Sequence, residues 1–209
     1  MYLTRMELDT AKRAAVMALS SPNRIHGAVE SAFAGRERKL WRIDSLSGKT
    51  YLLLVSESRP ELRNVAEQFG TERGWESRDY SPFLEKIQAG DRRRFRLTAN
   101  PVIAKSAGDG SRGRVLAHVT VEQQERWLAE RADKHGFSLS GEEFAVVNSR
   151  WVSLRKGRED GRTVTFREVT FEGVLTVTDA ELFRSALKNG IGREKAYGCG
   201  MLTVTGAVV

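Results

Sequence analysis

The chain has 209 residues, 40% hydrophobic and 29% charged, which excludes a disordered chain and allows one large domain or two of about 100 residues. Lysine and arginine number 34 against 27 acidic residues, a net charge of +7 with an isoelectric point near 9.8, a balance suited to an anionic partner such as nucleic acid. The single cysteine, Cys199, excludes an internal disulfide, and no apolar run reaches membrane-spanning length, so a soluble, cytoplasmic protein is expected.

Tyr2 to Leu8 alternates apolar and polar residues, the period of a half-buried strand. Residues 11–19 and 22–34 read as helices, the second with Ile25, Ala28, Val29, Ala32 and Phe33 at helical spacing. Two strand-like runs, 39–46 and 50–56, are split by Ser47, Gly48 and Lys49, a hairpin signal. A weaker helix from Pro60 to Phe69 and a short strand near 75–80 follow. The polar stretch 81–91, with Pro82, Gly90 and Asp91, marks a boundary between a unit of residues 1–85 and one of residues 92–209. Beyond it come a strand at 92–99, a helix at 121–135 and strands at 144–155 and 163–177. A helix at 179–188, capped by Asp179, and a last strand from Met201 to Thr205 complete the chain. Each half thus runs β-α-β-β-α-β. The fold class is α+β, two tandem ferredoxin-like domains with antiparallel sheets and an extended surface between them for a long ligand.

Three features bear on chemistry. The first is the segment from Ser21 to His26, Ser-Pro-Asn-Arg-Ile-His. Ser21 suits an N-cap and Pro22 the first helical position, which puts His26 near the end of the second turn, on a stripe with Asn23 and Glu30. Free N–H groups at the helix start, with Arg24, attract a phosphate. An imidazole nearby can take a proton from a ribose 2′-OH or give one to a leaving 5′-oxygen. On spacing alone, a surface histidine without a role is the stronger reading. His118, in an apolar stretch, and His135, at the polar end of a helix, read as structural. The three histidines lack metal-ligand spacing, so neither a metal nor another cofactor is expected.

The second feature is the glycine-rich segment from Gly190 to Gly200, with Arg193 and Lys195 inside it. It follows a helix and enters a strand, so it is no P-loop, and a tight connection is its plainer reading. The third is basic density. Residues 91–114, including Arg94 and Arg96, carry seven Arg and Lys against two acidic residues, and residues 150–167 carry six against two. The latter places Arg150, Arg155, Lys156, Arg158 and Arg162 around Gly157 and Gly161, a basic hairpin loop able to enter an RNA groove, although a solvated loop also accounts for it.

Taken in order, several segments resemble the CasE family, the repeat-processing endoribonucleases of type I-E CRISPR systems. They are Met1 to Arg5, Ser21 to His26, Phe95 to Pro101, Thr170 to Leu175 and, most specific, Gly190 to Leu202. The resemblance runs over essentially the whole chain. It implies cleavage of a CRISPR repeat hairpin without metal, by attack of the 2′-OH on the adjacent phosphate. It also implies product retention as a subunit of a Cascade-like surveillance complex. The family's catalytic histidine falls on His26, and a family lysine near the active site falls on Arg162, a cation able to stabilise charge on the scissile phosphate. Arg24, Arg94, Arg96, Arg150, Arg155, Lys156, Arg158, Arg193 and Lys195 become expected RNA contacts. One position departs from the family. Three residues before the histidine, where a tyrosine is common, stands Asn23, which can donate a hydrogen bond but cannot act as an acid or base at neutral pH. A non-catalytic RNA-binding subunit of a ribonucleoprotein is therefore the alternative.

Overall fold

The computed structural model describes residues 1–106, 113–156 and 161–207. Arg158 lies outside them, and so do the side chains of Arg155, Lys156 and Arg162. Strands β1 (Tyr2–Leu8), β2 (Lys39–Leu46), β3 (Lys49–Ser56) and β4 (Gly70–Asp79) form an antiparallel sheet in the order β2-β3-β1-β4. The β2–β3 hairpin turns through Ser47 and Gly48, both at positive φ (50° and 74°), as a tight two-residue connection requires. Successive side chains on a strand point to opposite faces, and here both faces are covered. Met6, Leu8, Trp41, Leu52 and Leu54 pack under α1 (Arg13–Leu19), α2 (Pro22–Ser31) and α3 (Arg63–Phe69). Met1, Leu3, Leu40, Leu53 and Val55 join the core of the second half.

The second half repeats the plan. Its strands β5 (Arg92–Ala99), β9 (Phe144–Lys156), β10 (Arg162–Val177) and β11 (Leu202–Ala207) lie in the order β11-β5-β10-β9, and a two-residue strand β8 (Phe137–Ser138) extends the β9 edge. Helices α5 (Val121–Ala132) and α6 (Ala180–Asn189) bury Trp127, Leu128, Phe183 and Leu187 against Phe95, Leu97, Phe171 and Leu175. Fourth, first, third, second is the strand order of both sheets, so the chain is two tandem ferredoxin-like units. A two-stranded ribbon, β6 (Val102–Lys105) with β7 (Arg114–Ala117), stands between β5 and α5.

The local signals hold with adjustments. Asp179 caps α6 by accepting from the amides of Glu181 and Leu182, and Thr120 with Gln123 makes a capping box on α5. Ser21 occupies the N-cap of α2, yet its hydroxyl caps nothing, because the Arg24 amide is taken by the Ser21 carbonyl at 2.9 Å. The helix predicted to residue 34 closes at Ser31, where the Ala32 and Phe33 amides bond back three residues instead of four. Strand β4 starts at Gly70, five residues before the predicted one, since its first half is a polar stretch with no alternation to read. The polar stretch 81–91 folds into α4 (Ser81–Glu85), buries Leu84 and Ile87, and receives Arg184, which donates to the carbonyls of both.

The two sheets are joined by a buried charge. Arg42 on β2 is 3% exposed, and all five of its N–H donors are used. Two reach the Asp44 carboxylate at 2.7 Å each, one the Thr203 hydroxyl, and two the carbonyls of Arg96 and Met201 in β5 and just before β11. A guanidinium fork fits this duty where a lysine would leave acceptors unmet.

Candidate active site

His26 lies on α2 at the flank of the face that buries Ile25 and Val29, and its side chain is 36% exposed. Nδ1 is 3.9 Å from Oε1 of Glu30, one turn on, too long for a hydrogen bond and close enough for an ion pair when the ring is protonated. Glu30 is itself held. Its other oxygen accepts from Lys39 Nζ at 2.8 Å, and that ammonium, nearly buried, lies over the Phe33 ring. The arrangement turns Nδ1 toward a fixed carboxylate and leaves Nε2 for chemistry.

The other neighbour of His26 comes from the far end of the chain. Tyr197 presents its ring edge-on to the imidazole, centroids 6.1 Å apart at 67°, and stacks on Phe166 of β10 at 6.1 Å and 25°. Glycines make this approach possible. A Cβ on Gly198 would stand 2.9 Å from the Trp41 ring, and one on Gly190 would stand 2.8 Å from both the Gly200 carbonyl oxygen and Leu40. The glycine-rich loop therefore docks directly on β2 and carries Tyr197 to α2. Cys199 is buried beside Val152, Leu154 and Phe166, and burial pushes its thiol well above the ordinary range, which leaves it an inert packing group.

Tyr197, with Pro22 and Ile25 of α2, lines a cleft of about 550 Å³ between the two units, whose wall also includes Arg42, Asp44 and Arg150; His26 is next to Ile25 in the chain and is not itself part of that lining. The structure gathers only some of the predicted residues here. Asn23 is half-buried one turn before His26, and Arg150 lines the cleft while donating to Glu168 at 2.7 Å. Arg96 also lines it but is committed to Glu172 and, at 3.2 Å, to Asp44. Arg94 is exposed on the same face of β5 as Arg96. Arg24 sits two residues from His26, about 200° around the helix, and faces α3. Arg193 borders a different cavity, while burial and the charge of Arg38 lower the Lys195 ammonium from its ordinary value. Arg162 opens β10 four positions before Phe166, about 13 Å along an extended strand.

Tyr197, Lys39 and Phe166 carry no separate signal in the sequence. The glycine-rich loop around Tyr197 is the only sequence feature near it, and Glu30 is legible as the residue one turn past His26. His118 and His135 are half-buried, and burial is the main cause holding both below the ordinary histidine value, with Arg131 adding to each. Among the described residues no three His, Cys, Asp or Glu side chains gather as metal ligands, and no helix is long and apolar enough to cross a membrane.

Known proteins resemble this chain in sequence and in overall fold. The family described as CRISPR associated protein matches residues 1–205. The CRISPR-associated endoribonuclease Cse3 of Thermus thermophilus is 31% identical over 218 residues, 98% of this chain and 99% of that protein. The CRISPR system Cascade subunit CasE of Escherichia coli is 31% identical over 127 residues, 57% of this chain and 60% of that one. A solved structure of the CRISPR endoribonuclease Cse3 bound to a 19-nucleotide RNA aligns at a TM-score of 0.84 and 29% identity, covering 98% of this chain and all of the other. The chain belongs to the CasE/Cse3 family of CRISPR-associated proteins.

Proposed function

We propose that this protein is a metal-independent endoribonuclease that cuts precursor CRISPR RNA within its repeats, at the base of the repeat hairpin. It then keeps the product as a cytoplasmic subunit of a Cascade-like complex. The observation that carries the reading is the half-exposed His26 imidazole, set between Glu30 and Tyr197, the latter of which lines the inter-unit cleft. In the reaction the 2′-oxygen bonds to the adjacent phosphorus and the bond from phosphorus to the 5′-oxygen breaks. The products are a 2′,3′-cyclic phosphate and a 5′-OH. His26 moves the proton from the 2′-OH or to the 5′-oxygen, and Arg162 offsets charge on the phosphoryl oxygens. Arg155 and Lys156, which end β9, grip the stem together with Arg158. The relatives' names, an endoribonuclease and a Cascade subunit, support this assignment.

The test is cleavage of the cognate repeat RNA. With EDTA present, wild-type protein cuts once at the 3′ base of the stem. His26→Ala loses about 10²-fold or more in single-turnover rate with unchanged affinity, and a 2′-deoxy substitution at the cut site blocks the reaction. Arrest by EDTA would overturn the metal-free mechanism. Asn23, where a tyrosine is common, favours a second reading, a non-catalytic RNA holder. Intact RNA after long incubation with tight, salt-sensitive binding would select it.

A further inference from the structure

On the other side of the glycine-rich loop, a second cavity of about 320 Å³ lies between the β6–β7 ribbon and α5. That is the lower end of the range of small-ligand pockets, about 300–1,000 Å³, and room for one nucleotide rather than a helix. Two residues lining it, Asn100 and Trp127, are 4% and 2% exposed. Oδ1 of Asn100 and Nε1 of Trp127 are both buried with no hydrogen-bond partner. Each such orphan costs about 1–3 kcal/mol, so an unmet acceptor and an unmet donor behind the wall of one cavity point to an occupant that supplies the complementary pair once these side chains shift to meet it.

Charge points the same way. Arg131 lies over the Trp127 ring at 4.5 Å and donates to the Trp127 carbonyl at 3.0 Å. It forms no ion pair among the described residues, and burial lowers its pKa, with only Glu130 opposing. Arg193 stands beside it on the rim. The facing wall is apolar, from Val102 and Val115 on one side of the ribbon. Cations at the rim, a flat apolar wall and a donor with an acceptor below match the three parts of a nucleotide. The Watson–Crick edge of every nucleobase offers both a donor and an acceptor, and a simple anion offers no such paired edge.

We propose that this cavity holds one unpaired nucleotide of the RNA strand that flanks the hairpin. The base lies against the Val102–Val115 wall with its edge to Asn100 and Trp127, and its phosphate meets Arg131 and Arg193. The loop that brings Arg193 to this cavity brings Tyr197, four residues later, to His26, so seating of the flank and placement of the scissile bond share one backbone. The identity of the occupant rests on the RNA-binding reading above, but not on catalysis by His26.

Two measurements test it. The first compares affinity for the repeat hairpin alone with that for the hairpin carrying several unpaired nucleotides on either side. The flanked RNA should bind about tenfold tighter in wild-type protein. Arg131→Gln, and Val115→Trp, which fills the cavity from an exposed ribbon position, should erase that gain while leaving affinity for the bare hairpin intact. The second follows the Trp127 indole N–H resonance, assigned with Trp127→Phe, during titration with AMP, GMP, CMP or UMP and with inorganic phosphate. A shift with a nucleotide and none with phosphate supports the proposal. An equal shift with phosphate makes this an anion site only, no shift with any RNA or nucleotide makes it a water-filled cavity, and a flank gain that survives both variants puts the flank elsewhere. Each of these overturns it. Failure of the hairpin to be cut would strike the His26 mechanism and leave the indole result standing.

Discussion

The two ferredoxin-like units share a strand order and differ in their central hairpin. In the first, β2 and β3 are eight residues each and stay within the sheet. In the second, β9 and β10 run 13 and 16 residues. Residues 169–176 of β10 pair with β5, and residues 162–168 pair with β9 alone. The second hairpin therefore projects from its sheet as an arm. Its only apolar anchorage among the described residues is the small cluster of Val152, Leu154, Val164, Phe166, Tyr197 and Cys199. The same topology serves as a platform for a helix-borne imidazole in one unit and as a mount for a basic arm in the other. Tyr197 touches both, through His26 and Phe166.

The largest effect is expected where the units are joined. Arg42→Met deletes five hydrogen bonds and leaves the mostly buried Asp44 carboxylate to its 3.2 Å contact with Arg96, a loss of about 3–5 kcal/mol in urea-induced unfolding. A loss below about 1 kcal/mol would show that apolar contacts such as those of Leu40 and Val55 hold the units unaided. Next come two truncations that put the platform and the arm to the same question. Leu54→Ala, in the fully buried core under α1 to α3, should cost about 2–5 kcal/mol globally. Phe166→Ala removes a comparable contact, about 3–5 kcal/mol, but the arm can open alone. Its amides over 163–168 should then exchange about 10²-fold faster while global unfolding moves by less than about 1 kcal/mol. Equal global losses in the two variants would erase the distinction between them.

The contrast also explains what the sequence could and could not reveal. Strand and helix periods are local, so Tyr2–Leu8, the β2–β3 hairpin and α6 with its Asp179 cap were legible residue by residue. Arg42, between Trp41 and Ile43, reads as the polar face of a half-exposed strand. Nothing local says that a second sheet covers that face. The β6–β7 ribbon escaped because four-residue strands are too short to show a period. Of the site, His26 was placed by Ser21 and Pro22 and gained a role only through resemblance. Its contacts with Tyr197 and, by way of Glu30, with Lys39 are tertiary. Asn23 offers a smaller test, and a gain rather than a loss. Asn23→Tyr, restoring the residue common in the family, should raise the single-turnover cleavage rate about tenfold, equivalent to about 1.4 kcal/mol. An unchanged rate would mean that His26 needs no aid from that position.

The smallest effect concerns pH. In the first unit the depressed groups are exposed carboxylates: Glu76, lowered mainly by its hydrogen bond from Arg78, and Asp79, lowered mainly by the Ser81 amide. The second unit has one such carboxylate, Glu122, and lowered cations at Arg131 and Lys195, and it adds two histidines. His135 is held below 6.5 by burial and then by Lys195, Arg131 and Lys134, and His118 by burial and then by Arg131. A base with a depressed folded value is neutral in the native state and takes up its proton more readily when unfolded. The stability this represents is present above the unfolded value of 6.5 and is lost as pH falls through the lower folded value. Wild-type protein should therefore show a lower urea midpoint at about pH 5.5 than at about pH 7.5. The double variant His118→Gln and His135→Gln should flatten that difference, because glutamine keeps a polar group without a titrating proton. Were the drop to persist undiminished, the acid sensitivity would belong to groups outside the second unit's histidines, and the two halves would not differ in this respect.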